Sequence, residues 1–291
     1  MHTGRAENRL SRYLRYISFY FLVVFLLIYL YILPEDVKLG LALDAQDISL
    51  AKLYNLYTCH FVHLSFNHLV NNLVAFTFYY FVFVIVAVSL YKLDFEARLF
   101  LLLSVTVSPF LVSALSTLTD PTNYLSGFGY GFSAIVSFIG AGGLACILLL
   151  FARGSRAKAL FLFMGTLSVY LGATYLVYKS FLYALLFVAI GIMMLVWTLY
   201  RLVRLYGKSY IKIIANDLNS ITNNTLLFYF IEALLLLFLV YYYPSTLLTL
   251  RDLQETFGAT GIAVGVMEHY WGMMLGAFLM ITLYKHDKIR F

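Results

Sequence analysis

Charged side chains are scarce in this chain of 291 residues: 12% are Asp, Glu, Lys or Arg, 63% are hydrophobic, and the mean hydropathy is +0.87. A soluble domain carries about a quarter charged residues, so too little polar surface is present to keep the chain in water. That deficit excludes a cytoplasmic enzyme, a nucleic-acid module and a disordered protein, and it implies an integral membrane protein. Cysteine is nearly missing as well. Cys59 and Cys146 allow one pairing and no disulfide framework. No His-Glu-x-x-His element exists, and the spacing of His60, His63 and His68 does not bring all three to one face of a straight helix, so no metal site is expected. Aspartate is missing from every long apolar run, which excludes the paired-aspartate intramembrane proteases. No internal or inverted repeat and no low-complexity tract is found.

What the chain does have is apolar runs of spanning length, about 20 residues each. Eight are expected, over 13–33, 63–91, 98–118, 131–152, 158–178, 180–203, 225–249 and 259–284. The first is followed by Pro34, Glu35 and Asp36 rather than a small-residue cleavage site, so it reads as an uncleaved span. With the N-terminus inside, sixteen of the 20 Lys and Arg fall in inner segments and four, Lys38, Lys52, Lys179 and Arg251, in outer ones. Basic loops stay on the cytoplasmic side, so this bias predicts both termini inside, and the net charge of +6 reflects topology rather than an anionic partner. The expected fold is one all-α, polytopic, membrane-embedded domain over 1–291. It has a basic cytoplasmic tail over 1–12, an outer loop over 34–60 and a cytoplasmic loop over 201–224.

Polar side chains at membrane depth are costly and mark candidate sites. The second span opens His60-Phe61-Val62-His63-Leu64-Ser65-Phe66-Asn67-His68, and His68 and Asn72 lie four apart, on one helix face. The fourth is entered through Gly127-Phe128-Gly129-Tyr130-Gly131-Phe132-Ser133-Ala134, which puts Ser133 at a helix N-terminus, where free N–H groups favour a developing anion. No Lys-Ser/Thr follows these glycines, so close packing rather than phosphate binding accounts for them. The last span carries Glu268-His269 and the pair Gly272 and Gly276, a small-xxx-small spacing suited to helix contact. All three spans run from outside to inside, so a hydroxyl, an imidazole and amide or imidazole donors come to similar depth. These are the parts of an acyl-transfer site. Glu268 points about 100° away from His269 around the helix, so no Ser-His-Glu triad is expected. Glu232, toward the inner half of the seventh span, reads as structural.

His63-x4-His68-x3-Asn72, Gly131-x-Ser133 and His269-x2-Gly272-x3-Gly276 resemble, in order and in helix direction, the three signature segments of the rhomboid intramembrane serine proteases. The resemblance implies a rhomboid-like bundle, a six-helix core plus two extra helices, in the cell membrane. It implies Ser133 as nucleophile, His269 as general base, and His68, Asn72 and the Ser133 N–H as oxyanion donors. Other membrane proteins, cut within or beside a transmembrane helix near the outer leaflet, would be the substrates; the lipid bilayer would be the surroundings, and no cofactor is needed. The chain departs from the family where Ala134 follows the serine, where Ser137 stands in place of a common Tyr, and in 34–60, which lack the family's Trp-Arg pair. Three spans rather than one separate the serine and histidine helices, which preserves the direction of the last. Two other readings stay open: a catalytically inactive rhomboid-like protein that binds membrane clients, and a small polytopic transporter.

Overall fold

The computed structural model describes residues 9–44, 49–90, 92–119, 128–129, 131–177, 181–207, 210 and 266–284. Within them the chain is almost entirely helical, as an all-α membrane protein requires. Four helices are long and apolar enough to cross a membrane: Ser11–Tyr31 within α1 (Arg9–Tyr31), Phe66–Val88, Ser133–Phe151 and Phe181–Tyr206, and a bent pair makes a fifth candidate. The expected span 225–249 with Glu232, the start of 259–284, and most of 201–224 lie outside the described residues.

After α1 the segment expected as an outer loop over 34–60 is not plain loop. It forms α2 (Glu35–Leu41), β1 (Leu43–Asp44), a 3₁₀ turn at Leu50–Lys52, α3 (Asn55–Thr58) and a second 3₁₀ turn at Cys59–Phe61. Asn55 Nδ2 donates to the Ala42 carbonyl (2.8 Å) and Thr58 Oγ1 to the Leu41 carbonyl (2.7 Å), which fold the segment on itself. β1 pairs antiparallel with β2 (Phe128–Gly129), Leu43 opposite Gly129, and so ties this segment to the stretch that leads into the serine helix.

The second span is α4 (Phe66–Val84), extended by a π-helical stretch over Ile85–Leu90. Ser65 is its N-cap, accepting the His68 N–H at 3.2 Å, so the helix starts at Phe66 rather than at His63. The expected span 98–118 is broken: α5 (Asp94–Thr106) and α6 (Ser108–Thr119) meet at 53°. Pro109 explains the break, because it has no N–H for the Val105 carbonyl one turn back and its ring crowds that group. The orphaned carbonyl is taken by Tyr57 Oη, which donates to it at 2.8 Å.

α7 (Ser133–Phe151) is the most buried of the spanning helices. It packs against α4, α8 (Arg156–Val177) and α10 (Val266–Leu283). α8 and α9 (Phe181–Tyr206) form an antiparallel hairpin. Gly172 lies against the Ala184 carbonyl, Ser168 Oγ donates to the Phe187 carbonyl (2.8 Å), and Gly165 lies against the Gly191 carbonyl. The register continues for about two turns along both helices. The outward side of α9 exposes Leu182, Leu185, Met193 and Trp197, an apolar face of the kind that meets lipid.

Candidate active site

Ser133 opens α7, as the Gly-rich approach predicts, and Val136 N–H makes the first intrahelical bond, to the Phe132 carbonyl (3.1 Å). The N–H groups of Ser133, Ala134 and Ile135 therefore precede the helical ladder and sit at the positive end of the helix dipole. Phe132 has no cap function; its ring is fully buried, 5.8 Å from Phe61 and 5.3 Å from Phe76 between centroids, and this aromatic cluster pins the start of α7 to α4 and to the Cys59–Phe61 turn. Gly131 N–H adds a bond to the Cys59 carbonyl (2.9 Å).

Gly131 is where the approach to α7 meets His68. Its φ of +124° is a conformation that L side chains rarely adopt, and a Cβ there would lie 2.8 Å from His68 Nε2. The His68 imidazole thus lies against the backbone two residues before Ser133. His63 and His68 meet edge to face at 5.1 Å, and Asn72 Nδ2 donates to His63 Nε2 at 2.8 Å. Asn72 and His63 are buried. The Asn72 amide has a second N–H beyond the one His63 accepts. His63 is thereby the residue that orients Asn72, a role its sequence position only hinted at.

α10 brings His269 to α7 through its glycines. A Cβ on Gly272 would overlap the Ala134 carbonyl oxygen, and one on Gly276 the Phe138 carbonyl oxygen, so the two backbones touch along a full turn. His269 lies one turn before Gly272 and within electrostatic reach of His68 and His60. Its Nδ1 is 3.2 Å from Ser137 Oγ. Among the described residues no hydrogen bond joins Ser133 to His269. Ser133, Ser137 and His269 are all partly accessible, so the Ser133–Ser137 edge of α7 is open toward α10.

The remaining residues of interest fall beside this centre. His60 Nε2 and Ser113 Oγ of α6 are 2.7 Å apart and both buried, so His60 fastens the Cys59–Phe61 turn to the bent helix rather than joining His63 and His68. Trp271 Nε1 donates to Thr119 Oγ1 (3.0 Å), closing α10 onto the end of α6. Glu268 is buried on another side of α10, within electrostatic reach of Cys59. Cys59 and Cys146 are buried and in no disulfide, and burial, helped by the Glu268 charge, pushes the Cys59 thiol up. No protein-family model matches this chain, and no curated protein or solved structure matches it, so the chemistry of the site rests on its own geometry.

Proposed function

We propose that the protein is an intramembrane serine endopeptidase that cleaves transmembrane segments of other membrane proteins near the outer leaflet of the cell membrane. The observation that carries this reading is the contact of α10 with α7, which sets His269 against the Ser133–Ser137 edge while His68 lies against Gly131 on the other side. Ser133 Oγ would attack the scissile carbonyl carbon and pass its proton to His269 Nε2. The carbonyl electron pair would move onto oxygen, held by the Ser133 N–H, His68 and Asn72. Collapse of the tetrahedral species would break the C–N bond, with the His269 proton going to the leaving amine, and water would then release the acyl group by the same steps.

Eight spans with both termini in the cytoplasm suit this reading, because they run α4, α7 and α10 in one direction and bring the site to one depth. The rhomboid-like order of the three motifs supports it further. The α8–α9 hairpin is an insertion between the serine and histidine helices that leaves the direction of α10 unchanged. The reading is tested with purified protein in liposomes, incubated with a panel of transmembrane substrates and, separately, with a fluorophosphonate probe. Cleavage together with an adduct on Ser133 is the expected result, and neither appearing would refute it. The client-binding reading draws on one observation, the hydrogen bond of His269 to Ser137 rather than to Ser133. It predicts binding of a transmembrane helix with no adduct.

A further inference from the structure

A dyad without an acidic third member has a specific weakness. Neutral imidazole carries one proton, and only the tautomer protonated on Nδ1 leaves Nε2 free to take a proton from serine. Something must favour that tautomer and then accept the Nδ1–H bond as the ring becomes cationic. Glu268 does not serve, since it is buried on another side of α10. The one side chain bonded to a His269 ring nitrogen among the described residues is Ser137, at 3.2 Å from Nδ1.

Resting on Ser133 as the nucleophile, we infer that Ser137 is the positioning residue of His269: its Oγ accepts the Nδ1–H, fixes the tautomer and aims Nε2 toward Ser133. Ser137 lies one helical turn, about 6 Å of rise, below Ser133 on the same face of α7. One imidazole between the two serines meets the first as acceptor and the second as donor. Ser137 is the weaker candidate for nucleophile by backbone geometry. Its N–H lies beyond the first helical bond, which Val136 makes, and so belongs to the helical ladder, whereas the Ser133 N–H precedes that bond and is free to face an oxyanion. The Gly272 contact, one turn after His269, holds α10 against α7 beside this hydrogen bond.

The experiment uses the full chain in liposomes and compares wild type with Ser137→Ala and Ser137→Thr. A hydrogen bond to a group that becomes charged in the transition state is worth a rate factor of about 10 to 100. Ser137→Ala should therefore lower kcat and slow fluorophosphonate labelling of Ser133 by that factor, with KM held within about twofold. Ser137→Thr, which keeps the hydroxyl, should restore most of the rate. Nitrogen-15 NMR of labelled histidine, with His269 assigned by its loss in His269→Gln, should show the Nδ1–H tautomer in wild type and a mixture in Ser137→Ala. That last readout is independent of activity and does not move if Ser137 only fills space. Wild-type kcat in Ser137→Ala, or an unchanged tautomer, overturns the positioning role while wild-type labelling at Ser133 leaves the protease reading standing. An adduct on Ser137 in wild type overturns it in favour of Ser137 as nucleophile. No cleavage and no adduct in wild type defeats the protease reading and this inference with it.

Discussion

Adding a single methyl group at Gly272 or Gly276 is the sharpest perturbation the helix packing offers. A carbon approaches a carbonyl oxygen no closer than about 3.3 Å, and the new Cβ would fall well inside that limit on Ala134 or Phe138, so α10 must back away from α7 by about 1 Å. Overpacking of this kind costs about 1–3 kcal/mol of stability, because the contact is backbone and no side chain can swing aside. The rate should suffer more. A displacement of about 1 Å at the reacting groups costs about 10²-fold, and Gly272 abuts the residue next to Ser133 while Gly276 abuts the residue next to Ser137. Turnover of a transmembrane substrate in liposomes and the unfolding midpoint of the same preparations measure both effects. Gly40→Ala is the control, since nothing lies within 4 Å of its added methyl group, and it should keep full turnover. Wild-type turnover together with a wild-type unfolding midpoint in both Gly272→Ala and Gly276→Ala would refute the contact that sets His269 against α7.

Two further outcomes follow from the same structure and a third from the distribution of basic residues. His68→Ala and Asn72→Ala should each lower turnover, by up to about 10²–10³-fold if each donor bears on the oxyanion, while labelling of Ser133 stays detectable; wild-type rates in both and in the double variant would reduce them to packing residues. Cys59 and Cys146 should resist maleimide in the folded protein, both being buried and the Cys59 thiol being held up by burial, and should react after unfolding; rapid labelling of the native protein would contradict the packing of the Cys59–Phe61 turn, if on Cys59, or of α7, if on Cys146. Single cysteines introduced between 201 and 224 should react from the cytoplasmic side alone, and labelling from outside with the N-terminus still inside would break the eight-span topology.

Features encoded within a few residues were legible in the sequence, and those made by distant segments were not. Ser133 at the start of α7 follows from the glycine run before it, and the His68–Asn72 face follows from helical spacing. Gly272 and Gly276 announced a close helix contact by their spacing alone, though not that Ala134 and Phe138 would supply it. The bend between α5 and α6 had its signal in Pro109, yet an unbroken apolar run from 98 to 118 outweighs one proline in a reading by hydropathy. The β1–β2 ribbon, two residues on each side, is too short to leave a period, and its register depends on a partner more than 80 residues away. Ser137 was visible only as a departure from the rhomboid pattern. The role proposed for it needed the position of His269, 132 residues further on.

The central claim is that Ser133 is an activated nucleophile, and mapping of a covalent adduct tests it most directly. Full-length protein in liposomes is treated with a fluorophosphonate, digested and sequenced by mass spectrometry, beside Ser133→Ala and His269→Ala. An unactivated serine hydroxyl is a poor nucleophile at neutral pH, so the adduct should form on Ser133 in wild type and be lost in both variants. Ser133 is the first residue of α7 and not its N-cap, so loss of its hydroxyl should leave the protein folded, and the unfolding midpoint of each variant is measured beside wild type. An adduct that persists in His269→Ala, or cleavage that persists in Ser133→Ala free of contaminating protease, would contradict the account.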